Sequence, residues 1–92
     1  MPTGITTLDF GAFPGKTDTT VAVTGQGAIA SGSLVGAWIR PAATADHSAD
    51  EHRVEDLFVV ADTIVAGTGF TIFGRAGRNR VYGLWTVAWA WT

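Results

Sequence analysis

The last twelve residues, VYGLWTVAWAWT at positions 81–92, constrain the fold of this chain more than any other segment. Successive side chains of a β-strand point to opposite faces. Here the odd positions bring three tryptophans and two valines to one face, and the even positions carry mainly small residues. Helical spacing would instead spread the tryptophans around the axis. The segment therefore predicts a long strand near the middle of a sheet, with its tryptophan face in the core.

Other strand-like stretches recur along the chain, with turn residues between them. They lie at residues 5–10, 19–24, 28–30, 34–40, 54–61, 63–66 and 70–74. Gly67-Thr68-Gly69 predicts a tight turn, and residues 74–80 predict a hairpin loop that leads into the tryptophan strand. About seven or eight short strands at this spacing predict an all-β fold: a single small antiparallel β-sandwich or jelly-roll-like barrel.

The N-terminal segment differs in composition from the rest of the chain. Residues 1–18 are rich in glycine, proline and threonine, which predicts an extended N-terminal arm ahead of a β-sandwich domain at residues 19–92. An arm of this kind suits strand addition to a partner, so Phe10 and Phe13 are candidate partner contacts. A chain of 92 residues has a marginal core, and 47% hydrophobic residues favour further burial against a partner.

Composition excludes several classes of partner and chemistry. The formal net charge of −2 argues against non-specific nucleic-acid binding. The chain has no cysteine, hence no disulfide framework, and no apolar run approaches the length of a membrane span. The stretch FGAFPGKTD at 10–18 lacks the spacing of a phosphate loop and precedes a strand instead of a helix. No cofactor, nucleic acid or membrane is therefore predicted.

Residues 46–52, DHSADEH, hold two histidines and three carboxylates. His47 and His52 are five residues apart, unlike the i, i+4 pair of helical zinc sites, and the calcium loop of an EF-hand is absent. Ser48 and Glu51 have the spacing of a helix capping box. We interpret the segment as a solvated connection with a local helix cap; a protein contact is the main alternative, and a metal site is not predicted.

Nothing in the sequence indicates catalysis. A nucleophile requires a base and an orienting group held beside it, and none of the serines lies in a nucleophile elbow. Paired carboxylates occur in the acidic segment and at Glu55-Asp56. The chain is therefore not expected to be an enzyme, and no catalytic residue is assigned.

The charges are unevenly distributed. Six of the eight acidic residues lie between positions 46 and 62, whereas three of the six basic residues are Arg75, Arg78 and Arg80. These arginines are either the polar tip of a loop or a basic finger that docks on an acidic neighbour, such as Asp50 and Glu51 of another copy. The second interpretation makes all five residues candidate partner contacts.

Several segments together carry a resemblance to a known group of proteins. They are LDFGAFPG (8–15), VTGQ (23–26), AWIRP and ATADHSADEH (within 37–52), VAGTGFTI (65–72) and YGLWTVAWAWT (82–92). As a set they resemble small virion-associated proteins of tailed bacteriophages, and the likeness covers nearly the whole chain. Phage proteins of this size and strand pattern are similar to capsid decoration, or cement, proteins.

The resemblance implies a structural role on the outer capsid surface of a virion. The implied partners are the major capsid protein and other copies of the chain, in a dimer or trimer. The alternative is a tail or receptor-binding fibre component of the same virion. Repeats or a long shaft typical of fibres are not visible in the sequence.

Overall fold

The computed structural model describes residues 2–55, 57–77 and 80–92. In chain order its elements are β1 (Thr3–Asp9), β2 (Asp18–Val23), β3 (Val35–Ile39), α1 (Ala49–Val54), β4 (Leu57–Val65), β5 (Gly69–Ala76) and β6 (Leu84–Trp91). The strands form two three-stranded antiparallel sheets, the first in the order β1-β6-β3 and the second in the order β2-β5-β4. Across the described ranges, no helix is both long and apolar enough to cross a membrane.

Strand β6 occupies the middle of the first sheet, which confirms the prediction from the tryptophan alternation. Trp85, Val87, Trp89 and Trp91 are all buried in the core. Trp89 pairs with Gly4 of β1 on one side and with Ala37 of β3 on the other. The large indole therefore has small neighbours on both flanking strands.

The second sheet packs its inner face against these tryptophans. Phe70 and Ile72 of β5 are buried, and the Phe70 ring meets Trp89 edge-on with 5.6 Å between the ring centroids. A Cβ added to Gly74 would lie 2.5 Å from Leu8 Cδ1 of the first sheet. Glycine at this position therefore lets the two sheets approach closely.

The described residues form six strands, fewer than the seven or eight predicted. Residues 28–30 do not form a strand: Ala28 lies in a turn, and Ile29 is buried with its N–H donated to the Gln26 carbonyl. Residues 54–61 and 63–66, predicted as two strands, belong largely to the single strand β4. An irregularity between Asp62 and Val65, where Thr63 has φ 57°, bends β4 without ending it. The predicted turn at residues 67–69 connects β4 to β5.

The N-terminal arm predicted at residues 1–18 is wrong over the described residues 2–18, which belong to the fold. Thr3–Asp9 pairs along β6 over seven residues, and both Leu8 and Phe10 are fully buried. Glycine and threonine suggested an extended tail, but an edge strand tolerates both. Gly4 is required by packing, because a Cβ there would lie 2.3 Å from Trp89 Cζ2.

The predicted hairpin at residues 74–80 is also wrong. Gly74 and Arg75 lie inside β5, and the chain then crosses from the second sheet to the first. Val81 forms an isolated bridge to Lys16 on the way. Sequence alternation identifies the two strands but does not say that they belong to different sheets.

Close packing of Trp89 on Gly4 predicts an unequal response of two glycines. We expect Gly4→Ala to lower the free energy of unfolding by about 1–3 kcal/mol, because the indole must shift within a packed core. Gly36→Ala is the matched control in the other edge strand, where an added Cβ meets nothing within 4 Å. The measurement is urea unfolding followed by tryptophan fluorescence; equal stability of the two variants would contradict the packing described.

Candidate functional site

The predicted contact residues lie in different settings, and Arg78 lies outside the described residues. Asp50 and Glu51 are exposed in the first turn of α1. Arg75 is exposed in β5, and Arg80 is exposed in the connection to β6. Phe13 is 79% exposed, and its ring meets Tyr82 edge-on at a centroid distance of 5.5 Å.

Phe10 is not available to a partner. Its exposed fraction is 0%, and its N–H donates to the Gly83 carbonyl at 2.9 Å. Phe10 shares its alternation with Leu8, and both side chains lie beneath Gly74 of the second sheet. The prediction of Phe10 as a contact residue is therefore wrong, because the side chain belongs to the core.

The acidic and basic segments do not form a direct ion pair within the described part of one chain. There the acidic side chains pair locally, Asp50 with Arg53 and Glu51 with His47. Arg80 lines a shallow depression together with Glu51 and Glu55. Arg75 instead lies opposite Asp18 and Phe58 on the second sheet.

His47 is buried against the tryptophan strand. Its ring stacks on Trp85 with 3.8 Å between the centroids. Nδ1 lies 2.9 Å from a Glu51 carboxylate oxygen, and Nε2 lies 2.5 Å from the Tyr82 carbonyl oxygen. Both neighbours are acceptors, so both hydrogen bonds form only when both ring nitrogens carry a proton.

His52 requires the opposite protonation. It is 3% exposed; Nδ1 donates to the Ser48 carbonyl at 2.7 Å, and Nε2 accepts the Thr86 N–H at 2.9 Å. Nε2 accepts a hydrogen bond only when it carries no proton, so this arrangement needs the neutral ring. His52 also contacts Trp85, on which His47 is stacked.

These contacts correct the interpretation of residues 46–52 as solvated, because both histidines are buried. The capping box of Ser48 and Glu51 is confirmed by the structure. A periodicity argument does not detect either histidine, since each is buried by a contact distant in sequence.

Glu51 connects the helix cap to His47. Its carboxylate accepts from His47 Nδ1 and from the Ser48 N–H. These hydrogen bonds, that of His47 first, hold the pKa of Glu51 below its ordinary value of 4.5. Ionised Glu51 therefore anchors α1 beside the start of β6.

The histidine cluster is a structural connection. All four ring nitrogens of His47 and His52 are engaged in hydrogen bonds within the protein. Among the described side chains, no group of three histidine or carboxylate residues is placed to hold a metal ion. The cluster fixes α1 to the first sheet, where β3 has already ended.

Exposed apolar side chains form a more promising site on the outer face of the second sheet. Phe58 and Val60 of β4 are 59% and 58% exposed, and Phe73 of β5 pairs with Val60. We call these three residues the Phe73 face. They line a depression of about 530 Å³ together with Lys16, Asp18 and Arg75. The continuous apolar run at 57–60 signals this face, because it makes both sides of the strand apolar.

The outer face of the first sheet also carries exposed apolar side chains. Ile5 of β1 and Trp38 of β3 lie opposite one another across Ala88 of β6. Trp38 is 50% exposed, and Leu34 is exposed at the start of the same edge. We call Ile5, Leu34 and Trp38 the Trp38 face. The alternation of residues 34–40 indicated that Leu34 and Trp38 share a face but not that this face is the outer one.

Comparison with known proteins found no matching family model, curated protein or solved structure.

The hydrogen bond from the Thr86 N–H to His52 Nε2 predicts that replacing His52 destabilises the fold. We expect His52→Leu to cost about 1–3 kcal/mol of unfolding free energy, because it leaves a buried donor without a partner. His52→Gln is the matched variant, since its amide oxygen takes the place of Nε2, and it should retain part of that stability. Urea unfolding and hydrogen exchange of the Thr86 amide provide the measurements. Unchanged Thr86 protection in His52→Leu would contradict the role assigned to His52.

The lowered pKa of Glu51 predicts a pH-dependent stability. Because its pKa is lower in the folded than in the unfolded chain, ionised Glu51 stabilises the fold above pH 4.5. This contribution disappears as the pH falls through the folded-state pKa. We expect the stability difference between the wild type and Glu51→Gln to shrink below pH 4.5, when urea unfolding is measured from pH 6 downward. Asp50→Asn is the control, because Asp50 does not contact His47; a difference independent of pH would contradict the prediction.

Proposed function

We propose that this chain is a structural protein of a tailed-bacteriophage virion, a capsid decoration or cement protein on the outer surface of the shell. It binds the major capsid protein and other copies of itself, and it acts through contacts without catalysis or a cofactor. The finer classification of its fold as a β-sandwich or jelly-roll-like barrel belongs to the same proposal.

The observation that carries the proposal is the pair of exposed apolar faces on the outer sides of the two sheets. Phe58 and Val60 are exposed on one sheet, and Ile5 and Trp38 on the other. Exposed apolar patches with a polar surround mark protein-binding surfaces. A small domain with such surfaces on two sides can be held between two neighbours, which is how a cement protein links a shell.

The sequence resemblance and the buried polar groups agree with this role. The resembling segments cover both the tryptophan strand and the histidine cluster. His47 and His52 stabilise the fold through hydrogen bonds, so their chemistry is already explained. The local ion pairs of α1 leave apolar contact as the main source of affinity.

We assign the Trp38 face to the shell. Its exposed tryptophan has small residues beside it, Gly36 and Ala90, which pair with each other. A projecting tryptophan beside small residues provides both an anchor and room for a partner side chain. Tryptophan is among the residues that most often dominate interface energetics.

The location in the virion tests the proposal directly. The phage that encodes the chain is purified, and copies per virion are counted by quantitative mass spectrometry. A cement protein is present in numbers comparable to the shell subunits. A few copies, located on the tail by electron microscopy, would overturn the proposal in favour of a tail component.

The shell contact predicts the effect of truncating Trp38. We expect Trp38→Ser to weaken binding of the purified protein to undecorated shells by about 30-fold, which corresponds to about 2 kcal/mol. Its thermal unfolding midpoint should change little, because half of the side chain is already exposed. Val65→Ser, an exposed apolar residue in β4, is the control and should bind normally. Equal binding by both variants would exclude the Trp38 face.

A further inference from the structure

The Phe73 face has opposite charges at its two ends. On β4, Phe58 lies at one end and Asp62 at the other, and Val60 lies between them next to Phe73. Arg75 lies beside Phe58, with Asp18 on its other side. Lys16 lines the same end of the depression. The end near Arg75 is therefore net basic, and the end near Asp62 is acidic.

The two charged ends of the Phe73 face are separated by a short length of strand. Residues 58 and 62 are four positions apart on β4, which is about 13 Å along the strand. The apolar residues Val60 and Phe73 occupy the middle of that span. The face thus has an apolar centre, a basic end and an acidic end.

This pattern is complementary to itself under one two-fold rotation. An axis in the plane of the contact, perpendicular to the strands and passing through the row of Phe73, places Phe73 against the Phe73 of a second copy. It also places the Arg75 end of each copy over the Asp62 end of the other. A two-fold axis along the strands would instead bring Arg75 against Arg75 of the second copy. Like charges at a contact suppress that arrangement.

We propose that the Phe73 face is the contact of a two-fold homodimer, in which Arg75 of each chain meets Asp62 of the other. We assign a second copy of the chain as the partner, because the contact of a two-fold dimer must be self-complementary. The apolar centre and the oppositely charged ends make this face self-complementary. The inference deepens the proposed function, on which it rests only for the claim that the protein associates with itself. The Trp38 face remains free to bind the shell.

Charge reversal tests the arrangement in the isolated full-length protein, without any shell. Asp62→Arg and Arg75→Asp each place two like-charge contacts in a homodimer. We expect each variant alone to dimerise about tenfold more weakly than the wild type at low salt, with little difference near 1 M salt. A one-to-one mixture restores both opposite-charge contacts in a heterodimer. The mixture and the double variant Asp62→Arg/Arg75→Asp should both recover dimerisation.

Sedimentation equilibrium provides the dissociation constants, and circular dichroism verifies the fold of each variant. Both substituted side chains are exposed, so the fold should persist. Phe73→Ser should weaken the dimer at every salt concentration, whereas Trp38→Ser should leave it intact. A monomeric wild type, a mixture no stronger than its components, or a dimer lost in Trp38→Ser would overturn the proposal. Shell binding is measured separately, so its failure would count against the cement role and not against the dimer.

Discussion

The bulk of the tryptophan strand is the constraint on which the rest of the structure depends. Three indoles on one face of β6 must be buried, and a single facing layer of ordinary side chains leaves no room for them. Gly4 provides room for Trp89 in the neighbouring strand of the same sheet, and Gly74 of the opposite sheet provides room for Leu8 and Phe10. Burying an indole contributes several kcal/mol, whereas a glycine in a strand costs about 0.5–1 kcal/mol relative to alanine. The free energy gained by burying the tryptophans therefore exceeds the cost of the glycines.

The same strand explains why the polar connection folds. Strand β3 ends at Ile39, and the ladder stops there, although the Ala42 carbonyl and the Thr44 hydroxyl still form hydrogen bonds with residues of β6. The Arg40 N–H still donates to the Thr86 carbonyl, but the Thr86 N–H donates to His52 instead of to a strand. Helix α1 thus supplies the acceptor for a β6 backbone N–H that no strand pairs with on that side. The capping box orients the helix. A six-residue helix is unstable in isolation, so its position here depends on the contacts of both histidines.

Local sequence patterns predicted the parts of the fold that depend on local physics. Alternation identified the buried face of β6, the glycines identified the turn at 67–69, and the spacing of Ser48 and Glu51 identified the cap. The predictions of an N-terminal arm and of a hairpin at residues 74–80 were wrong, because both depend on long-range pairing. Strand β1 has a weak apolar pattern, because Gly4 occupies the core-facing position beside Trp89. That pattern therefore does not indicate that Phe10 belongs to the core.

The candidate site was only partly predictable for a related reason. Alternation separates the two faces of a strand, but only the order of strands decides which face is covered. Arg75 and Asp62 belong to segments that the sequence suggested as complementary. Their position on one face emerges only when β4 and β5 pair. The burial of the histidines gave no local signal, because one hydrogen-bond partner of each lies more than 30 residues away.

The exposed apolar faces do not result from incomplete packing of the core. The accessible surface of the chain is 5267 Å², close to the area of about 5,100 Å² expected for a compact monomer of this mass. The molecule is therefore about as compact as its size predicts, and three of its four tryptophans are buried. The apolar side chains that remain outside are concentrated on strand positions whose inner neighbours already fill the core. A partner that binds only the folded state increases the free energy of unfolding by mass action. A chain of this length can therefore gain stability by binding a partner. Two opposed apolar faces offer that gain twice.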